Sequence, residues 1–405
     1  MGTLSINITE ELYNYREKTL IGKGIYSLLI KIYRIFNLSI FPIESIDSYE
    51  EKYKTIETKN LIGERRGVAG VYSTFKKQKE QHLKDFKLPP IRLSIFSDVY
   101  FAGNSDVVVD MNNKCIINDL FYNINPQKEI ADGLLYRQKN NVGILRSNMK
   151  HVERNLGSGI MVSGKYSFNY YHELFENLNR LLIIKDCDIP LDVPYLIDEK
   201  VMSVPSFKRV FEIMTENNKR DIILLNPKSI YSCSRLYYVD HINDISELIY
   251  DPILTIRFKE QLLKYKSQVN FPKRIFITRR IAKSRQYNEE EVFLLLSRWG
   301  FQKIAPEDYS FEEQMKIFSE AEWIVGGSGA AMTNLMFCSK GCKVICFRSS
   351  YLGEEPPIFN GIAYLNGCSY WYYEPNYSSN PKSIHSNYSI DIKELESIME
   401  KFFNN

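Results

Sequence analysis

The stretch FQKIAPEDYSFEEQMKIFSEAEWIV, residues 301–325, decides the fold of this protein. Strands are predicted at Phe301–Ile304 and at the apolar run Trp323–Val325, and Ser310–Ala321 between them has its apolar residues at helical spacing. Ser310-Phe-Glu-Glu313 is a capping box, which predicts where this helix begins. A strand, a helix and a strand at this spacing predict two parallel strands joined by a crossover helix.

The same alternation continues on both sides of this unit. Upstream, a strand is predicted at Arg274–Thr278 and a helix at Asn288–Trp299, with Asn288 and Glu291 spaced as an N-cap pair. Downstream, the sequence predicts a short helix at Gly329–Met336, a strand at Lys343–Phe347 and a final helix at Asp391–Phe402. Strands and helices that alternate in this way form a parallel, Rossmann-like sheet.

The first half of the chain is less regular but contains a second alternation. Short β-rich runs extend from Ile91 to about Leu145. They are followed by a predicted helix at Tyr166–Asp186, strands at Tyr195–Ile197 and Ile222–Leu225, and a helix at Ser206–Thr215.

The length of 405 residues exceeds the usual size of one domain, so we expect two α/β domains. Our predicted division is an N-terminal segment (1–45), a first domain (46–250), a second domain (251–390) and a C-terminal helix (391–405). The linker is expected near Asp251–Phe271, where a helix precedes the second sheet.

The composition excludes several classes of protein. A net charge of +3 without a long basic block argues against a nucleic-acid partner. Seven cysteines, an odd number spread along the chain, predict reduced thiols and not a disulfide framework. No run of about 18 uncharged apolar residues predicts a membrane-spanning helix. Because the first 20 residues lack a signal-peptide core, we expect a cytoplasmic protein.

One segment bears on membrane contact. Gly24–Ile43 has apolar residues at helical spacing, with Lys31 and Arg34 between them. Such a helix can lie on the inner surface of the cell membrane or pack on the protein's own body. The second interpretation is favoured, and peripheral membrane contact stays open.

The first candidate site is the helix after Asn169. His172, Glu176 and Arg180 are spaced i, i+4 and i+8, which places a base, an acid and a cation on one face beside Tyr171. His172 or Glu176 could remove a proton from a hydroxyl group. The alternative is a structural arrangement in which Glu176 and Arg180 form a surface ion pair.

The second candidate site is cationic. Arg279, Arg280, Lys283 and Arg285 directly follow the strand at Arg274–Thr278. Ligands of parallel sheets bind beyond the carboxyl ends of the strands, and arginine donors match phosphate oxygens. The cluster therefore fits a diphosphate, although a solvated basic loop is an equal alternative.

The third candidate site is the turn Val325-Gly-Gly-Ser-Gly-Ala-Ala-Met-Thr-Asn334. Small residues let a ligand approach the backbone, and N–H groups at the start of the helix can face an anion. The turn is neither G-x-G-x-x-G nor a Walker loop, so a strand-to-helix turn without a ligand is the simpler interpretation.

Two patterns that suggest metal sites were set aside. Asp186-Cys-Asp188 matches D-x-D but lies at a helix end before Pro190. Cys338, Cys342 and Cys346 lack a further cysteine pair or histidine to complete a zinc site, so buried thiols are expected.

These blocks, in this order, resemble glycosyltransferase family 61 over residues 166–348. The matching residues are Asn169 to His172, Glu176, Arg180, Phe276 to Arg279, Arg285, Asn288, Glu289, Ser310 to Gln314 and Gly326 to Asn334. The resemblance implies a GT-B fold, in which two Rossmann-like domains face each other across a cleft. It also implies inversion at the anomeric carbon, no required metal or other cofactor, and a nucleotide sugar bound mainly by the C-terminal domain.

The resulting prediction is an inverting transferase that extends a bacterial surface glycan, such as a capsule or lipopolysaccharide. Its partners would be a nucleotide sugar and a glycan or glycolipid acceptor. His172 is the first choice for the base and Glu176 the second, with Tyr171 and Arg180 as support. The expected nucleotide-sugar contacts are Arg279, Arg285, Asn288, Glu289, Ser328, Gly329, Ala330 and Asn334.

Two departures from the family pattern bear on activity. Ser328 stands where the family turn usually has histidine, and Cys346 stands where the next strand often has an acid. They motivate a rival, a non-catalytic scaffold in a polysaccharide assembly complex. A dehydrogenase would need a dinucleotide fingerprint, which the sequence lacks. A metal-dependent transferase would give Asp186 and Asp188 a role.

Overall fold

This mixed α/β protein is built around two large sheets, one from each half of the chain. The computed structural model describes residues 40–53, 56–71, 75, 82–118, 134–139, 142–145, 152–244, 247–279, 284–348, 358–375 and 386–403.

The first sheet has eleven strands in the order β12-β11-β10-β13-β5-β6-β7-β1-β9-β8, with β2 paired to β5. Strands β12, β11, β10 and β13 are mutually parallel, and β5 joins them antiparallel. The strands are β1 Ile40–Glu44, β2 Ile56–Ile62, β5 Ile91–Ala102, β6 Val108–Asp110, β7 Cys115–Ile117, β8 Leu135–Lys139, β9 Val142–Leu145, β10 Val152–Met161, β11 Tyr195–Asp198, β12 Ile222–Leu225 and β13 Ile230–Val239. A separate hairpin is formed by β3 Arg65–Gly70 and β4 Leu83–Leu88.

The second sheet has five parallel strands in the order β15-β14-β16-β17-β18. They are β14 Arg274–Ile277, β15 Gln302–Ile304, β16 Trp323–Gly327, β17 Lys343–Phe347 and β18 Ser369–Tyr373. This is the doubly wound order 2-1-3-4-5, in which the chain reverses its direction of progress between the first and third strands. The carboxyl ends of β14 and β16 therefore flank a crevice of the kind in which such sheets bind ligands.

The helices lie between and around these strands. They are α1 Ile46–Tyr53, α2 (the consecutive pieces Tyr170–His172, Glu173–Asn177, Leu178–Arg180 and Leu181–Ile184), α3 Glu199–Ser203, α4 Pro205–Thr215, α5 Pro252–Leu263, α6 Glu289–Ser297, α7 Phe311–Glu320, α8 Ile358–Leu365 and α9 Ile392–Phe403, with 3₁₀ turns at Pro306–Asp308 and Ala330–Phe337. None of the helices in the described ranges is long and apolar enough to cross a membrane.

The unit at residues 301–325 folds as its sequence predicts. The capping box forms, because Ser310 Oγ accepts the Glu313 N–H at 3.2 Å and Glu313 accepts the Ser310 N–H at 2.8 Å. One apolar core joins both sheets, so that Ile160 and Tyr195 of the first belong to the same buried cluster as Ile277 and Ile324 of the second.

Two predicted helices differ from the structure. The helix expected from Tyr166 begins at Tyr170, because Tyr166 has a φ of 62° and Asn169 caps the first turn. In the amphipathic stretch Gly24–Ile43, residues 40–43 belong to strand β1 and pair with β7 and β9. The remainder of that stretch lies outside the described residues.

Candidate functional site

The first candidate site lies at the carboxyl edge of the parallel strands in the first sheet. Ser163 and Gly164 follow β10, Asp198 ends β11 and His241 follows β13, while α2 begins just beyond this edge. The Asn169 side chain caps α2 by accepting the Tyr171 N–H at 3.0 Å. Polar side chains from several segments therefore converge at the edge where parallel sheets bind ligands.

His172 and Glu176 meet as their spacing predicts. His172 Nδ1 lies 2.9 Å from Glu176 Oε1. The His172 side chain is 25% exposed and that of Glu176 only 11%, so the imidazole is the member that a ligand can reach. The rings of Tyr166 and Tyr171 lie 4.9 and 5.5 Å from the imidazole, measured between centroids.

The backbone around this pair is unusual. Tyr166 adopts a left-handed conformation, which is uncommon for a bulky residue and is found mostly where the surrounding structure enforces it. Within α2, Glu173–Asn177 forms a π turn and Leu178–Arg180 a 3₁₀ turn. A π turn holds about one extra residue, which rotates the later part of the helix about its axis, and such turns are frequent at functional sites.

Arg180 is not an accessible cation beside His172. It is completely buried, and its guanidinium donates to four carbonyl oxygens: Val162 at 2.7 Å, Val239 at 3.2 Å, Ser163 at 3.3 Å and Asn177 at 3.4 Å. The prediction that it projects together with the base is therefore wrong, because its guanidinium is bonded to the main chain of the core. The alternative of an exposed Glu176–Arg180 ion pair is also wrong, since both side chains are buried.

Several acidic side chains surround this arginine. Burial raises the pKa of Asp106, Glu173 and Glu176, and in each case the positive charge of Arg180 acts in the opposite direction. Glu173 is the extreme case: it is 0% exposed, accepts one hydrogen bond from Asn177 at 2.9 Å, and its Oε1 has no partner among the described residues.

His241 is a buried member of the site that the sequence analysis missed. Its Nδ1 lies 3.2 Å from the Glu176 carbonyl oxygen, which can only accept, so Nδ1 carries the proton. Burial, reinforced by the charge of Arg180, lowers the pKa of His241 to about 3, so the ring is neutral. His241 lies just after β13, and this position was the sequence signal that could have identified it. Asp106, in the loop before β6, had no such signal in the sequence.

The second candidate site lies at the switch point of the second sheet. Arg279 follows β14, and its Nη1 donates to the Ser328 carbonyl oxygen, 2.5 Å away, in the turn after β16. Nη2 donates to the Ser284 carbonyl oxygen at 3.2 Å. A Cβ atom at Gly329 would lie 2.4 Å from Nη1. The glycine at this position therefore makes room for the guanidinium.

Glu289 and Asn288 brace this arginine loop. Glu289 accepts the Arg279 N–H at 2.9 Å and the Thr278 hydroxyl. Asn288 accepts the Ile390 N–H at 2.8 Å and donates to Glu291 at 2.7 Å, which fastens α6 to the segment before α9. Arg285, like Tyr166, has a left-handed backbone, with φ at 56°. Arg280 and Lys283 lie outside the described residues.

The turn after β16 offers fewer N–H groups than predicted. The Ser328 N–H donates to the Phe347 carbonyl oxygen at 2.7 Å, so it is already satisfied and cannot face a diphosphate in this conformation. Gly329 and Ala330 follow it at the start of the 3₁₀ turn Ala330–Phe337.

Asn334 and Tyr171 connect the two halves. Asn334 accepts the Tyr170 hydroxyl at 2.7 Å and donates to Gln314 at 3.0 Å. Tyr171 is buried, with its hydroxyl 2.5 Å from that of Tyr250. Tyr250 in turn donates to the Ile358 carbonyl oxygen at 3.0 Å. The Tyr170–Asn334 bond ties the first turn of α2, which contains His172, to the segment that follows β16, and the bonds through Tyr250 tie it to the start of α8.

Residues 170–345 match the family model described as Glycosyltransferase 61. The match runs from the first residue of α2 into β17, so it includes both candidate sites. No curated protein sequence matches the chain. The family match supports glycosyltransferase activity in general, with a nucleotide sugar and a glycan acceptor as the general partners.

Replacing Arg180 with methionine should lower the free energy of unfolding by about 3–5 kcal/mol, because it leaves buried carbonyl oxygens without a donor. Urea unfolding followed by circular dichroism measures this loss. Arg235→Met is the control: the Arg235 side chain is 50% exposed, forms a surface ion pair with Glu57 and lies over the Tyr237 ring, so we expect a change within about 1 kcal/mol. A loss below about 1 kcal/mol for Arg180→Met would contradict the structural role.

Replacing Glu173 with glutamine should make unfolding less pH-dependent. The folded pKa of Glu173 lies well above 4.5, its ordinary value, because of burial. As the pH rises above 4.5, the Glu173 carboxyl ionises in the unfolded chain but stays protonated in the folded protein. The wild type therefore loses stability relative to Glu173→Gln. The loss is at most about 1.4 kcal/mol per pH unit and stops at the folded pKa.

Urea unfolding at about pH 5 and about pH 8 tests this prediction. The stability of Glu173→Gln relative to the wild type should be higher at the upper pH. Glu260→Gln, on the exposed side of α5, should follow the wild type at both values. An unchanged difference between Glu173→Gln and the wild type would contradict the prediction.

Proposed function

We propose that this protein is an inverting, metal-independent glycosyltransferase that moves a sugar from a nucleotide-sugar donor to an acceptor hydroxyl. The observation that carries the proposal is the hydrogen bond from Tyr170 to Asn334. It holds the His172–Glu176 pair, at the carboxyl edge of the first sheet, against the segment that follows the switch point of the second. In this proposal His172 is the base, Arg279 belongs to the diphosphate site, and the two sites would face each other as in a GT-B fold.

His172 would serve as the base and Glu176 as the residue that orients it. With Nδ1 bonded to Glu176, the imidazole presents Nε2 to the acceptor, and the carboxylate stabilises the imidazolium that forms on proton transfer. The acceptor oxygen then attacks the anomeric carbon from the face opposite the diphosphate. The bond from that carbon to the diphosphate oxygen breaks with its electron pair, which inverts the configuration.

Arg279 would stabilise the departing diphosphate. A guanidinium has five N–H donors, and the two carbonyl oxygens of Ser328 and Ser284 engage one on each Nη atom. The Nε–H is buried without a partner among the described residues. Arg279 is therefore held in place with donors left for phosphate oxygens, and Arg285 adds positive charge nearby. Asn288 and Glu289 support the loop from behind.

The biological setting is the broader part of the proposal. The acceptor would be a growing bacterial surface glycan, such as a capsule or lipopolysaccharide, and the reaction would occur in the cytoplasm. Peripheral contact with the inner face of the cell membrane would be compatible with a glycolipid acceptor.

One observation favours a second candidate, a non-catalytic scaffold. The Ser328 N–H is satisfied by Phe347, and two donors of Arg279 are engaged by the protein itself, so part of the anion site is filled by the chain. Cys346, where the family often has an acid, is buried in β17, and burial raises the pKa of its thiol to about 11. A scaffold would neither transfer nor hydrolyse any nucleotide sugar.

Donor binding should raise the melting temperature for one family of nucleoside diphosphates and nucleotide sugars. A ligand at about 100 times its Kd stabilises the folded state by about 2.7 kcal/mol. Each melting-temperature shift is measured relative to the same protein without ligand. The shift should be the same with and without EDTA. Arg279→Ala should abolish it, whereas Arg298→Ala, which alters an exposed ion pair with Glu396, should retain it. No shift with any nucleotide would sink the proposal and favour the scaffold.

Replacing His172 with alanine should slow the reaction while donor binding persists. With the stabilising nucleotide sugar as substrate and water as acceptor, we expect kcat for nucleoside diphosphate release to fall by about 10²–10⁴-fold. Glu176→Gln should also slow the reaction but less, because the imidazole remains and loses only its carboxylate partner. His82→Ala, an exposed histidine beside β4, is the control. Wild-type rates in His172→Ala would rule it out as the base.

A further inference from the structure

Three cysteine sulfurs meet at the end of the second sheet that lies away from the switch point. The Sγ atoms of Cys338, Cys342 and Cys368 all lie within 4.8 Å of one another. The sequence pattern had grouped Cys338 and Cys342 with Cys346, but Cys346 lies inside β17. Cys368, far along the chain, takes its place. All three residues are buried, with exposures of 0%, 3% and 5%.

The two loops that carry these sulfurs are fixed by the backbone. Cys342 immediately precedes β17 and Cys368 immediately precedes β18, so both lie at the amino edge of the sheet. The Gly341 N–H donates to the Gly367 carbonyl oxygen at 3.0 Å, and the Ser369 N–H donates to that of Cys342 at 2.9 Å. Gly341 and Gly367 have φ values of 91° and 68°, a conformation that favours glycine. The sulfurs are therefore brought together by a closed backbone arrangement.

A cationic side chain adjoins the cluster. Lys259 of α5 donates to the Cys338 carbonyl oxygen at 2.6 Å and to Asn366 Oδ1 at 2.5 Å. A half-buried ammonium group thus lies beside the main chain that holds the three sulfurs.

We propose that Cys338, Cys342 and Cys368 bind one zinc ion, in a structural site separate from the donor site. Zinc binds thiolates at about 2.3 Å in tetrahedral geometry, which requires sulfur–sulfur distances of about 3.8 Å. Three sulfurs that all lie within 4.8 Å of one another are compatible with this spacing. Oxygen-preferring cations such as Mg²⁺ and Ca²⁺ do not suit three sulfur ligands.

The charge balance of the site is consistent with zinc. Three thiolates and one Zn²⁺ leave a net charge of −1, which lies opposite Lys259. Binding forms three zinc–sulfur bonds and releases the thiol protons to water. A fourth position remains for water or for a carbonyl oxygen such as that of Ser339, which lies 3.6 Å from Cys368 Sγ. The ion would join the starts of β17 and β18 and take no part in sugar transfer.

The test measures zinc in the full-length chain, purified under reductant without a metal-binding tag, incubated with zinc and then dialysed. Mass spectrometry of the metal should find about one zinc ion per chain. Cys368→Ser and Cys342→Ser should each lower the zinc content at least about tenfold. Cys233→Ser is the matched control, because Cys233 is equally buried, in β13 of the first sheet, and should keep its zinc.

A second measurement needs no variant and therefore stands even if the serine variants fold poorly. Zinc should protect Cys338, Cys342 and Cys368 of the wild type from alkylation, and a strong chelator should expose these three while Cys233 is unaffected. Three buried thiols without a metal would give no zinc in the wild type and no change on chelation. Absence of zinc from the wild type would overturn the proposal. So would alkylation that does not change on chelation, or equal zinc content in the wild type and both cluster variants.

Discussion

The buried guanidinium of Arg180 is the interaction on which the first candidate site depends. A charge inside the protein needs hydrogen-bond partners, and Arg180 has four of them: carbonyl oxygens of α2, of the segment after β10 and of the last residue of β13. These contacts fix α2 against the carboxyl edge of the sheet. They also place a positive charge among Asp106, Glu173 and Glu176, which partly opposes the rise in pKa that burial causes in each acid.

The first turn of α2 links this edge to the second sheet. Within a few residues it contains the Asn169 cap, the Tyr170 bond to Asn334, the buried Tyr171 hydroxyl and the His172–Glu176 pair. The π turn that follows separates two tasks: residues before it face the junction of the two halves, and Arg180 after it enters the core. The irregular helix therefore lets one short segment present the His172–Glu176 pair and also bury Arg180.

At the switch point, the main chain likewise positions a functional candidate, Arg279. Arg279 contacts the turn after β16 directly, and the glycines of that turn make room for it. Glu289, at the start of α6, binds the main chain at the end of β14. The arginine is thus positioned by elements that follow two different strands, which is a property of the doubly wound order and not of any single loop.

Local patterns in the sequence determined much of this protein. The strands and helices of residues 274–347, the capping box at Ser310 and the contact between His172 and Glu176 follow from periodicity and i, i+4 spacing, which act over a few residues. The sequence also predicted that Arg279 follows a strand, because the order of strands in a sheet does not alter the order of residues along the chain.

Only the tertiary structure decided which distant residues meet. The burial of Arg180 required carbonyl oxygens from β13 and from the segment after β10, and the site around Glu176 includes His241 and Asp106 from other segments. The cysteine cluster contains Cys368, just before the next strand, in place of Cys346, four residues from Cys342. The physical reason is the same in each case: sequence spacing fixes neighbours along one element, whereas sheet pairing and loop closure bring together residues that no local pattern connects.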